Sequence, residues 1–182
     1  MKEAQIGKSG KSICYNGPTR NGMRGLFEIV EMTMLHTPNY DVRGRAFCGP
    51  TAMSAVTGLP ISEIREMIRD VWGKTKSNGH AMPVMGLDNA SMIASMVRFG
   101  WKVVETADCE SGPDERRDRF RLGDFLDAKG DDGPFIVNVT GHYYAVSQGE
   151  ICDTFSCLPR SVARFKKGRS RWVKRWWKFE RA

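Results

Sequence analysis

Apolar residues recur at helical spacing in the first hundred residues and at strand-like spacing after Gly133. In FCGPTAMSAVTGLP, Cys48, Ala52, Ala55, Val56 and Leu59 fall at helical spacing. Pro50 stands in the first turn of that helix, where a missing N–H is no loss, and Gly58 and Pro60 stop it. Ile61, Ile64, Ile68 and Val71 mark a second helix closed at Gly73. Met92, Ile93, Met96 and Val97 mark a third, with Asp88 as cap and Gly100 as stop. The stretch GKTKSNGHAMPVMG between them reads as loop, and LFEIVEMTML at Leu26 to Leu35 fits a strand or a short helix equally. GWKVV at Gly100 to Val104 reads as a short strand, ADCESGPDERRDR as a solvated loop, and Leu122 to Lys129 as a small helix. FIVNVT, HYYAVS and EICDTF are three successive β segments, the last two joined by a Gln148-Gly149 turn. Helices come first and strands last, which predicts an α+β domain with a helical layer packed on a C-terminal antiparallel sheet.

The chain has 182 residues, enough for one well-filled domain. Residues 1–24, rich in Gly, Lys, Ser and Asn, read as a flexible arm, and 25–182 as the domain. GKS at Gly10 to Ser12 is not a phosphate loop, because Gln5 stands where that motif requires glycine. No apolar run approaches the roughly 18 residues of a membrane span, so no membrane contact is expected. Five cysteines, an odd count at irregular spacing, fit reduced thiols and a cytoplasmic location better than a disulfide framework. Cys109, Cys152 and Cys157 lack metal-ligand spacing, and neither metal nor cofactor is expected. From Arg160 to Arg181 ten basic residues face the single acid Glu180, more than accounting for the net charge of +7. A segment of this kind can hold weak contacts with nucleic acid or an acidic partner. It has a structural reading too: in RWVKRWWKF, Val173, Trp177 and Phe179 share one parity, as in a core strand whose outer face shows Trp172, Lys174, Trp176 and Lys178.

A thiol attacks only as thiolate, and a helix N-terminus favours that form; Cys48 stands at one. Its own backbone N–H leaves the same helix end and is suited to an oxyanion. Of the three histidines, His36 and His80 lie in or beside loops and His142 opens a strand. With Gln148-Gly149 as a two-residue turn, Tyr144 faces Asp153, and His142 and Asp153 become diagonal neighbours roughly 7 Å apart at Cβ. A carboxylate there would orient the imidazole and steady its protonated form. Cys48, His142 and Asp153 are therefore the candidate nucleophile, base and orienter.

FCGPTAMSAVTGLPISEIREMI resembles the nucleophile helix of papain-like cysteine peptidases, especially the bacteriocin leader peptidases and a set of small phage and bacterial proteins. GHYYAVSQGEICDTF is similar to their second motif, and FRLGDFLDAKGDDGPFIVNVTGHYYAV to their approach to the histidine. The resemblance covers roughly residues 40 to 179. It implies a papain-like fold, a protein or peptide substrate, the same three catalytic residues, and, for a phage protein, a place in the host cytoplasm or the virion. Such enzymes usually carry a Gln about six residues before the nucleophile to complete the oxyanion hole. Val42 occupies that place, which leaves Asn39 and Arg43 as candidate substitutes, with Arg45 beside them. Two other functions fit the same residues: a papain-like fold kept as a binding or virion-associated module, and a basic nucleic-acid binder in which Cys48 is packing.

Overall fold

The computed structural model describes residues 34–41, 47–73, 79–80, 82–109 and 120–182. The arm expected at 1–24 and most of the run Leu26 to Leu35 lie outside the described residues. The helices are α1 (Cys48–Thr57), α2 (Ile61–Trp72), α3 (Asn89–Arg98) and α4 (Leu122–Lys129). The strands are β1 (Trp101–Asp108), β2 (Phe135–Val139), β3 (His142–Ser147), β4 (Glu150–Cys152), β5 (Arg160–Ser161) and β6 (Val173–Arg181). They form one antiparallel sheet in the order β1-β6-β2-β3-β4-β5. The fold is α+β.

The helices begin and end for the expected reasons. Asp88 caps α3 by accepting the Ser91 N–H at 2.8 Å, and α1 and α2 close on Gly58 and Gly73 in the left-handed conformation. Helix α2 buries Ile61, Ile64 and Ile68 completely, each worth roughly 1.5–3 kcal/mol relative to exposure. Residues Gly49 to Thr57 of α1 are all buried, because the helix lies between α2 and β3. Its hydroxyls stay satisfied inside: Ser54 donates to the Leu59 carbonyl at 2.7 Å and Thr57 to the Met53 carbonyl at 2.8 Å.

Both faces of the sheet are covered. One carries α1, α2 and α3 over Ile136, Tyr143, Ala145, Trp177 and Phe179. The other carries α4, whose Leu122, Phe125 and Leu126 pack on Phe135, Val137, Val146 and Trp176. This second layer corrects the expected outer face of the C-terminal segment. Trp176 is buried, and Val173 lies on its side of the sheet rather than beside Trp177 and Phe179. The reason is a bulge: Val173 and Arg175 face consecutive residues of β2, so the extra residue Lys174 inverts the alternation.

Two strand ends also differ from expectation. Strand β1 continues through Asp108, beyond Val104, because Thr106, Ala107 and Asp108 pair with Trp177, Trp176 and Arg175. Strand β4 stops at Cys152 instead of carrying on through Asp153 and Phe155. The Asp153 carboxylate takes the N–H groups of Phe155 at 3.1 Å and Ser156 at 2.8 Å, a local turn that competes with the ladder and ends it. The hairpin register holds as expected: Ser147 faces Glu150 and Val146 faces Ile151 across a turn with positive φ at Gln148 and Gly149.

Candidate active site

Cys48 is the first residue of α1 and is half-buried. No side chain caps the helix end, and Pro50 has no N–H to offer, which leaves the first-turn donors of Cys48 and Gly49 without a partner inside the helix; the Gly49 N–H bonds the Cys48 sulfur. Gly49 is where the next segment crosses. A Cβ there would stand 2.7 Å from Leu87 Cδ2 and 2.9 Å from Leu87 Cβ, so only glycine lets Leu87 lie across the helix start.

His142 opens β3 beside the beginning of α1 and is buried, as is Asp153 behind it. Nε2 of His142 stands 3.4 Å from Asp153 Oδ2, an ion pair whose N–H does not point along the contact. The ring also hydrogen-bonds the Cys48 sulfur. Phe155 stacks on the imidazole at 5.2 Å between centroids, and Tyr144 meets it edge-on at 4.7 Å. Asp153 is fixed by the turn it starts, since its second oxygen holds Phe155 and Ser156 and its carbonyl accepts the Cys157 N–H.

The electrostatics follow from this arrangement. Burial opposes ionisation of Cys48, but hydrogen bonds from the His142 ring and the Tyr143 and Gly49 N–H groups outweigh it, and the thiol pKa is lowered. Burial likewise disfavours protonated His142; the Asp153 carboxylate and the Cys48 sulfur beside the ring prevail and raise its pKa to about 8. Asp153 is lowered despite burial, through His142 and Ser156. The three shifts together favour a thiolate–imidazolium pair with a carboxylate behind it.

A cleft of about 560 Å³ opens in front of Cys48 and His142, with Phe47, Met85, Leu87 and Gly141 among its walls. Its depth holds a polar cluster that the sequence reading passed over. Asn138 donates to Asn89 Oδ1 at 2.7 Å, and the Tyr143 hydroxyl reaches that oxygen at 2.6 Å and the Leu87 carbonyl at 3.0 Å. Burial pushes the Tyr143 phenol up to about 12, which keeps it a donor. One signal was available: Asn138 is the polar residue in the otherwise apolar strand FIVNV. An ion pair between Arg175 and Asp108 closes the far end.

The structure does not bring Asn39 to this cleft. Its N–H donates to Ser54 Oγ at 3.3 Å and its carbonyl accepts the Ile61 N–H at 3.0 Å, which holds it at the C-terminal half of α1. Arg43, with Val42 and Arg45, lies outside the described residues. The His36 ring packs on Gly58 at the other end of α1, and His80 is exposed. Among the described residues all four cysteines are free thiols, and no three His, Cys, Asp or Glu side chains stand together as metal ligands would. No helix among them is long and apolar enough to cross a membrane.

No protein-family model matches the chain, and no curated protein does. Among solved structures, a double glycine motif protease from an AMS/PCAT transporter, in complex with the leader peptide, is similar at 11% identity and a TM-score of 0.44, over 80% of this chain and 91% of that one.

Proposed function

We propose that this chain is a thiol-dependent hydrolase, a cysteine peptidase working through an acyl-enzyme on Cys48. The observation that carries the reading is the series in which buried Asp153 stands behind buried His142 and His142 bonds the sulfur of half-buried Cys48 at a helix N-terminus. The Cys48 thiolate attacks the carbonyl carbon of a peptide bond, and the oxyanion takes the Cys48 backbone N–H as a donor. His142 gives its proton to the departing amine, so the C–N bond breaks and a thioester remains. Neutral His142 then removes a proton from water, whose oxygen attacks the thioester; the acid leaves, and the thiolate and imidazolium are restored. Asp153 keeps the ring oriented and steadies its charge in both halves.

The substrate is a protein or peptide segment entering the cleft between Met85–Leu87 and Gly141–His142. The test is hydrolysis of a peptide library, read by mass spectrometry, with Cys48→Ala beside the parent chain. Alanine keeps the helix and removes the nucleophile, so cleavage should vanish while the melting temperature holds. Cleavage at an unchanged rate in that variant refutes the mechanism.

A further inference from the structure

A second cleft, of about 720 Å³, opens on the other side of Asp153 from the Cys48 cleft. Five cations line it: Arg160, Arg164, Lys166, Lys167 and Arg171. Among the described residues that line it the one carboxylate is Asp153, already turned to His142. Elsewhere in the same basic segment the cations have acids: Arg169 pairs with Asp127, Arg175 with Asp108, and Lys178 with Asp132 at 3.9 Å. None of the five pairs with a carboxylate among the described residues. Like charges gathered in a concavity without counter-charge raise the local potential and favour an anion there.

The backbone that carries them is held in place. Val162 donates to the Gly149 carbonyl at 2.7 Å, Arg171 to that of Gly168 at 2.9 Å, and Leu122 to that of Arg171 at 2.8 Å. Phe165 rests edge-on against Tyr144 at 5.8 Å. The cations therefore project from a fixed frame, which lowers the ordering cost of a ligand that joins them.

We propose that this cleft binds an oligophosphate group. Three guanidinium groups among the five cations suit phosphate oxygens, which accept paired N–H donors. The volume matches a small-molecule site, typically about 300–1,000 Å³, rather than an open track along a strand. The group can come from a nucleoside triphosphate or from free oligophosphate. Phe155, 67% exposed at the rim, stacks on His142 and its ring centroid lies 5.5 Å from Lys167 Nζ, so a nucleobase could use the exposed part of its ring beside that cation, which a bare phosphate chain would not. The cleft shares Asp153 and Phe155 with the surroundings of His142, but the experiment below reads binding alone and involves no hydrolysis.

The test is calorimetric titration of the full chain with sodium tripolyphosphate and, separately, with metal-free ATP. Saturable one-to-one binding is expected, weakening as salt is raised. Arg160→Gln combined with Lys167→Gln should weaken both probes by about tenfold or more, given what charge-assisted hydrogen bonds contribute, with melting unchanged. ATP binding tighter than tripolyphosphate, with the difference lost in Phe155→Ala, identifies a nucleotide as the source; equal affinities identify free oligophosphate. No saturation by either probe at about 1 mM, or equal affinity in the double variant, overturns the proposal. So does binding seen only with long oligonucleotides, which would make the segment a nucleic-acid surface instead.

Discussion

His142→Ala should change the pH at which Cys48 reacts, in a way that packing alone cannot imitate. Burial is the largest influence on the Cys48 thiol and works against ionisation; the His142 hydrogen bond is the next and works for it. Without the ring, burial acts against only the Tyr143 and Gly49 N–H groups, and the pKa should rise back towards that of an ordinary free thiol, for which the reference value is about 8.5. At pH 6.5 such a thiol is about 1% thiolate, and each unit by which the parent pKa lies lower multiplies that fraction tenfold. A less basic thiolate is also less nucleophilic, by about threefold per unit, so the net advantage of the parent near pH 6.5 is about threefold per unit of separation. At pH 9.5 both are ionised, and the order should invert, the variant reacting faster. The assay is iodoacetamide labelling of the Cys48 peptide followed by mass spectrometry at a series of pH values, since Cys157 is exposed and would dominate a bulk thiol count. Superimposable profiles for the parent and His142→Ala would refute the coupling between ring and sulfur.

Hydrolysis by the parent should decline as pH rises through about 8, where His142 loses the proton that the leaving amine needs; a rate still climbing at pH 9 contradicts that role. Asp153→Asn should retain measurable turnover while losing most of it, because the amide can orient the ring without balancing its charge; kcat/KM equal to the parent's would leave Asp153 as a turn residue alone. Asp153 carries a lowered pKa, so its contribution to stability is present above about 3.9 and drains away as pH falls through the folded value; acid melting curves should show that decline flattened in Asp153→Asn. Trp177→Ala removes a side chain 2% exposed in the core beneath the α1–α3 layer and should cost about 3–5 kcal/mol, lowering the melting temperature by about 6–20 °C; a shift under about 2 °C would place that ring outside the core. Gly49→Ala pushes against Leu87 and should destabilise by about 1–3 kcal/mol, checked by denaturant unfolding, with a neutral result showing that Leu87 yields freely.

The parts of this fold that could be read from the sequence are those fixed by neighbouring residues. Asp88 announces α3, the Gln148-Gly149 pair sets the hairpin register, and isoleucine spacing marks α2; each depends on residues within a few positions. Cys48 and His142 could be read for the same reason, one as a helix start and the other as a strand start. What escaped was set by distant contacts. The Lys174 bulge exists because β6 must satisfy β2, and no alternation count across RWVKRWWKF can see that Val173 has changed sides. Asp153 was expected on a strand, and the turn it begins still brings its carboxylate to His142, so the pairing came from a different geometry than the alternation suggested. Asn39 was selected by its separation from Cys48 along the chain, yet its backbone bridges to Pro60 and holds it at the far end of α1.

Strand β6 lies between β1 and β2, and that placement bears on the order in which the chain can fold as it is made. Among the described strands β1 pairs with β6 alone, and β6 leaves the ribosome about 70 residues after β1. At the usual pace of about 5–20 residues per second, β1 waits several seconds with its hydrogen-bonding edge unpartnered. Strand β2, made about 40 residues before β6, spends about half that interval with one edge exposed, the edge that β6 will later fill. Two open edges held for seconds in one nascent chain invite pairing with each other or with a neighbouring chain on the same message. Synthesis paused before residue 173 should therefore yield a chain that is captured by chaperones and cleaved by added protease, with protection arriving only when the final strand slides into the gap.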